Sequence, residues 1–140
     1  MQKIFLIGLL QLSFGAGCVL FAVEKKIKVQ NGEIEILGEK IPVYGKAEEV
    51  TVTYNDGDGA RSLQVEYYFP GKSTEKVLKD VAAFYTGKSI FGTKVGKFKK
   101  NKSNGGAYNF ENCSKKPELL IVIYANETPG HVYIGDMCLP

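Results

Sequence analysis

Apolar and polar positions alternate from Lys26 to Leu37, in the order Ile27-Lys28-Val29, then Asn31-Gly32, then Ile34-Glu35-Ile36. A period of two marks a strand that buries one face, and Asn-Gly accepts the left-handed backbone pair of a two-residue hairpin turn. The pattern predicts a hairpin centred on Asn31 and Gly32. Pro42-Val43-Tyr44-Gly45 reads as extended or turning. Val50 to Tyr54 and Leu63 to Phe69 resume the alternation on either side of Asn55-Asp56-Gly57-Asp58-Gly59, which predicts a second hairpin. The period then changes. Val77, Leu78, Val81, Ala82, Phe84 and Tyr85 recur at helical spacing, Ser73 stands where a cap is needed, Glu75 falls in the first turn and Gly87 stops the run. These signals predict a helix over about 74–86. Gly, Lys and Asn dominate residues 87–106, which read as loop. Ala107 to Glu111, Leu119 to Tyr124 and Val132 to Asp136 read as strands, the last two joined by a turn at Asn126-Glu127-Thr128-Pro129-Gly130.

Strands, one helix and more strands are the order of an α+β domain: an antiparallel or mixed sheet of about six to seven strands with one amphipathic helix packed on one face. A chain of 140 residues has room for one such domain. Its 44% hydrophobic and 24% charged residues, with 8 Tyr and 8 Phe spread along it, exclude a collagen-like, coiled-coil or mainly disordered chain.

The amino end has a different pattern. Lys3 precedes an uncharged run from Ile4 to Val23 that ends at Glu24-Lys25-Lys26, the layout of a secretory signal peptide, with cleavage expected after the small residue Ala22. Residues 1–22 are then the signal and residues 23–140 a single α+β domain, secreted or periplasmic. Two alternatives tether the protein to a membrane. The run is long enough to span a bilayer if retained, and Ala16-Gly17-Cys18 resembles the site at which bacterial lipoproteins are acylated on cysteine. Gly15 stands where that signal normally has leucine, and the residues after Cys18 are apolar. Removing the signal leaves two cysteines, Cys113 and Cys138, and an even number in an oxidising compartment predicts a disulfide. Closing so long a segment is worth about 3 kcal/mol in chain entropy.

Ile41-Pro42-Val43-Tyr44-Gly45-Lys46-Ala47, followed by strands and then Val81-Ala82-Ala83-Phe84-Tyr85, resembles small uncharacterised secreted or lipid-anchored bacterial proteins. In those, a Pro-x-Tyr-Pro-Gly-Ala turn leads into a hairpin and an amphipathic helix ending near Phe-Tyr. The likeness covers residues 41–85. The second proline is absent here, and so is a Gly-Trp pair after the helix. The resemblance implies the fold class and an envelope location, and no activity.

No motif selects a reaction. Asp56, Asp58 and Gly59 match part of a calcium loop, but Tyr54 and Val65 occupy two essential ligand positions, so a plain turn is expected. Gly71-Lys72-Ser73 matches the tail of a phosphate-binding loop whose leading glycine is replaced by Glu66. His131 is the single histidine, which disfavours nucleophilic triads and zinc sites. Beside Pro129-Gly130 it reads as a solvated turn residue, with a general-base role as the alternative. Glu33, Glu35, Glu48, Glu49 and Glu66 supply carboxylates without any spacing that picks out a catalytic pair. A small hydrolase using His131 or a carboxylate pair remains the alternative function, and a structural or assembly component of the envelope a third. No cofactor or metal is expected. Asn101-Lys102-Ser103, Asn112-Cys113-Ser114 and Asn126-Glu127-Thr128 are sequons, used only in a eukaryotic secretory pathway.

Charge is segregated more clearly than any motif. Residues 24–80 carry nine basic and eleven acidic side chains, whereas residues 81–110 carry six lysines and no acid. Lys88, Lys94, Lys97, Lys99, Lys100 and Lys102 are interleaved with Phe91, Phe98 and Tyr108. A lysine-rich loop of this kind attracts an anionic lipid surface, a cell-wall polymer or an acidic envelope protein, with nucleic acid a less expected partner for an exported chain. The competing reading is a solvated segment whose lysines keep a sheet edge from pairing with another chain. The sequence thus points to an exported binding module whose candidate surface is these six lysines.

Overall fold

The computed structural model describes residues 4–8, 21–55, 62–69, 74–102, 106–124 and 130–138. In chain order its elements are β1 (Ile4–Gly8), β2 (Phe21–Lys28), β3 (Glu33–Ile36), β4 (Glu39–Pro42), β5 (Glu49–Asn55), β6 (Leu63–Phe69), α1 (Glu75–Tyr85), β7 (Ser89–Ile90), β8 (Thr93–Lys94), β9 (Lys99–Asn101), β10 (Ala107–Asn112), β11 (Leu119–Tyr124) and β12 (Gly130–Gly135). Eight strands form one sheet in the order β1-β2-β5-β6-β12-β11-β10-β9, while β3–β4 and β7–β8 form separate hairpins. Every pairing in the large sheet is antiparallel. From β6 the chain passes through α1 to the far edge at β9, then returns strand by strand until β12 pairs with β6.

Alternation places one row of side chains from each strand in a common core. Val52 faces Val65, Val65 faces Ile134, Ile134 faces Ile121 and Ile121 faces Phe110, a row that crosses five strands. The first four side chains belong to one buried cluster with Leu78, Val81, Ala82 and Tyr85 of α1, and Phe110 packs against it. No polar or charged residue counts among the buried ones described. The tyrosine hydroxyls that do enter the core are paired: Tyr67 and Tyr85 lie 2.6 Å apart, Tyr85 donates to the Pro42 carbonyl at 2.7 Å, and the Tyr44 amide donates to Tyr67 at 3.0 Å. Burial pushes the Tyr67 hydroxyl up to about 12 and Tyr85 well above its ordinary value, so this network stays neutral.

Several expectations change in detail. Asn31 and Gly32 adopt φ of 55° and 75°, and Gln30 and Glu33 exchange backbone hydrogen bonds at 3.0 and 3.2 Å, as a two-residue hairpin requires. Beyond that bridge the strands part: β2 pairs with β5, and β3 turns through Leu37-Gly38 onto β4. Thr74 caps α1, its Oγ1 accepting from the Val77 amide at 3.3 Å. Ser73, the cap read from sequence, lies outside the described residues, as do the Asp-Gly turn at 56–59, Gly71-Lys72-Ser73, Cys18 and the turn at 126–129.

The segment read as loop from residue 87 to 106 holds the β7–β8 hairpin and the edge strand β9, and Ile90, Phe91, Val95 and Phe98 in it are buried. Four apolar anchors tie the lysine-bearing stretch to the core, which corrects the expectation of a structureless loop. Cys113 and Cys138 form a disulfide with Cα atoms 5.8 Å apart, tying the residue after β10 to the segment after β12.

Among the described residues no helix is long and apolar enough to cross a membrane. In the full chain Ile4–Gly8 pairs with Phe21–Lys25, and Ala22 is paired on both sides, to Ile7 and to Asn55. The bond between Ala22 and Val23 thus lies inside a paired strand, so cleavage there requires β2 to be unpaired at the time. Without β1 the sheet retains the seven strands β2, β5, β6, β12, β11, β10 and β9.

Candidate functional site

Four of the six lysines line one groove. Lys88 donates to the Phe84 carbonyl at 2.6 Å and lies 3.9 Å from the centre of the Phe84 ring, so it closes the carboxyl end of α1. Lys94 is exposed on β8. Lys97, Lys99, Lys100 and Lys102 line a groove of about 740 Å³ with Asn101, Asn109, Phe110 and Glu111. The backbone brings them together because β9 is the outermost strand and lies antiparallel to β10, with Lys99 opposite Asn109 and Lys100 opposite Tyr108.

Within the groove the lysines differ. Lys100 reaches both carboxylate oxygens of Glu75 at 3.1 Å, and the Tyr108 hydroxyl donates to the same carboxylate. Tyr108 chiefly, and Lys100 after it, hold Glu75 below its ordinary value, while Glu75 pushes the Tyr108 hydroxyl up to about 12. One of the four positive charges is therefore neutralised in place. Lys97, Lys99 and Lys102 are exposed and have no charged partner among the described residues. Asn109 also lines the groove. Its Oδ1 is buried and receives no hydrogen bond, an arrangement that costs about 1–3 kcal/mol. Phe110 lies 6.0 Å from Phe98, centre to centre, and backs the groove with a ring anchored in the core.

A second cluster occupies the sheet face that carries Asn109. His131 is paired with Tyr68 of β6 on one side and Tyr124 of β11 on the other. The three rings stack, at 4.7 Å and 30° for Tyr68 and 5.1 Å and 22° for Tyr124. Nε2 of His131 lies 3.1 Å from Glu66 Oε2. The hydrogen bond from His131 lowers the Glu66 carboxyl, partial burial opposes it, and the His131 charge adds to the lowering. Tyr124 and Tyr133 are raised, by burial first and by the Glu66 charge second. His131 is therefore a strand residue with a side chain only 17% exposed, in place of the solvated turn residue read from Pro129-Gly130. Both of its ring faces are covered and one nitrogen is engaged. Such a row locks three central strands together and leaves little room for a substrate to meet the imidazole.

Sequence reasoning missed Asn109 and Glu111 in the groove and Tyr68 and Tyr124 beside His131. None carries a local signal; each is found only when strand order is known. No group of three or more metal-ligating side chains occurs among the described residues. Asn112 spends its side-chain amide on the Lys115 and Pro117 carbonyls, at 3.4 and 3.0 Å, so the sequon at that position is occupied by structure.

Comparison with protein-family models, with curated proteins and with solved structures finds no match. The chain's own residues are the whole basis for a functional reading.

Proposed function

We propose that the protein is an exported α+β binding module, its helix laid on one face of the sheet, that contacts an anionic envelope component through the groove beside β9. One observation carries the reading: Lys97, Lys99 and Lys102 converge on a single concavity and, among the described residues, lack a carboxylate partner. Cations in excess over carboxylates in a groove raise the local concentration of an anionic ligand and speed its capture. The disulfide and the amino-terminal apolar run support export. The exposed lysines on the edge strand also discourage pairing with another chain, and the two roles are compatible because both need the outer edge of β9 to stay open.

Binding to phosphatidylglycerol vesicles and to a polyanionic polysaccharide, followed at rising salt, tests the proposal. Each lysine near an anionic surface contributes about 1 kcal/mol, so replacing Lys97, Lys99 and Lys102 by glutamine lowers affinity roughly a hundred-fold at low salt. The same change flattens the salt dependence. Lys88→Gln and Lys94→Gln leave both unchanged. Equal binding by the triple variant and the unaltered protein would sink the idea.

A second reading, a small hydrolase, has one observation in its favour, the hydrogen bond between His131 and Glu66. An activity screen with His131→Gln as control separates it from the binding module.

A further inference from the structure

We infer that the ligand of the β9 groove is an acidic saccharide, with its negative groups carried on hydroxyl-bearing rings. The inference rests on the proposed binding function and concerns the same groove. Three features of the lining are not those of a receptor for bare anionic charge. Glu111 lines the groove together with Lys97, Lys99 and Lys102. A carboxylate there repels a dense polyanion or a flat anionic membrane, but it accepts hydrogen bonds from sugar hydroxyls.

Asn109 is the second feature. The residue is only partly buried and lines the groove, so its amide offers a ligand both N–H donors and a carbonyl acceptor. Phosphate and carboxylate groups use only its Nδ2 donors, because at neutral pH they are acceptors themselves, whereas a hydroxyl uses both ends of the amide, donating to Oδ1 and accepting from Nδ2.

Phe110 is the third. Its ring is held by Phe98 on the core side of β10, opposite Asn109 and Glu111, and the residue forms part of the same lining, giving a fixed apolar edge beside the cations. Sugar rings have an apolar face for such a surface, whereas a string of phosphates has none. The groove's volume of about 740 Å³ is that of a site for a short oligomer, and its concavity suits a discrete chain better than a planar bilayer. Cations for the acid groups, acceptors for the hydroxyls and a ring for the sugar face together define one chemical class.

The test compares ligands on the full, processed protein by calorimetric titration. An oligouronate and a sugar-phosphate oligomer tell which acid the saccharide carries, and binding of either supports the inference. A neutral glucan of equal length, polyphosphate of equal charge and phosphatidylglycerol vesicles complete the set. The acidic saccharide is expected to bind at least about ten-fold more tightly than each of these three, the worth of one or two matched hydrogen bonds. Asn109→Leu and Phe110→Leu, each shown by a cooperative melting transition to be folded, are expected to lower saccharide affinity by about five-fold or more and polyphosphate affinity by less than about two-fold. If one variant does not fold, the other and the ligand ranking decide. Polyphosphate or vesicles binding as tightly as the saccharide would overturn this inference and leave the anion-binding function standing. A neutral glucan binding equally well, or none of the ligands binding, would overturn both.

Discussion

Glu66 and His131 illustrate how little of a side chain's role is set by its own type. Read along the chain, Glu66 is one of several strand carboxylates and His131 a turn residue. In the fold they sit on neighbouring strands, 3.1 Å apart, within a row of stacked rings. The hydrogen bond from His131 holds Glu66 below its ordinary value of 4.5. A carboxyl lowered on folding adds stability that is complete above the unfolded value and is lost as pH falls through the folded one. Denaturant unfolding measured from pH 6 down to pH 3 should therefore show a decline below about 4.5 that is shallower in Glu66→Gln. Identical slopes for the two proteins would mean that the pair contributes nothing in solution. Gly130, next to this pair, has a different cause. A Cβ there would stand 1.9 Å from the ring of Phe69, which is buried, so only glycine lets β12 lie against β6.

At the scale of elements, legibility followed the locality of the signal. β5, β6, α1, β10 and β11 were readable because periodicity and caps lie within the elements themselves, and the cysteine pair because only one pairing was open. β4 was missed because its turn uses Leu37, which takes φ of 51° although it is neither Gly nor Asn. A left-handed conformation costs a residue with a Cβ about 1–2 kcal/mol. Leu37 is 47% exposed and has little packing to lose, so Leu37→Gly is expected to raise stability by about 1 kcal/mol, read as a higher denaturation midpoint at unchanged slope. A lower midpoint would show that Leu37 is held by contacts that outweigh the strain. β7, β8 and β9 were hidden for another reason. Each has only two or three residues, and the apolar anchors between them, Val95 and Phe98, are too widely spaced to form a period.

At the scale of the whole molecule, the strand order assembles the proposed binding surface. Nothing local in β12 says that it lies at the middle of the sheet, yet its pairing with β6 and β11 builds the His131 row and sends β9 to the edge. That edge position turns a run of lysines into one side of a groove and brings Asn109, Phe110 and Glu111 to the other. The charge segregation visible in the sequence marks the stretch whose lysines line the groove, while the neutralisation of Lys100 by Glu75 and the diversion of Lys88 to the helix end needed the fold. The two candidate surfaces lie on different strands, so one measurement discriminates between them. Backbone amide shifts in a two-dimensional NMR spectrum, recorded while an acidic oligosaccharide is added, should move for Lys97 to Lys102 and Asn109 to Glu111 and stay still for Tyr68, Tyr124 and His131. Shifts confined to the His131 row, with the β9 groove unmoved, would contradict the assignment of the groove as the binding surface.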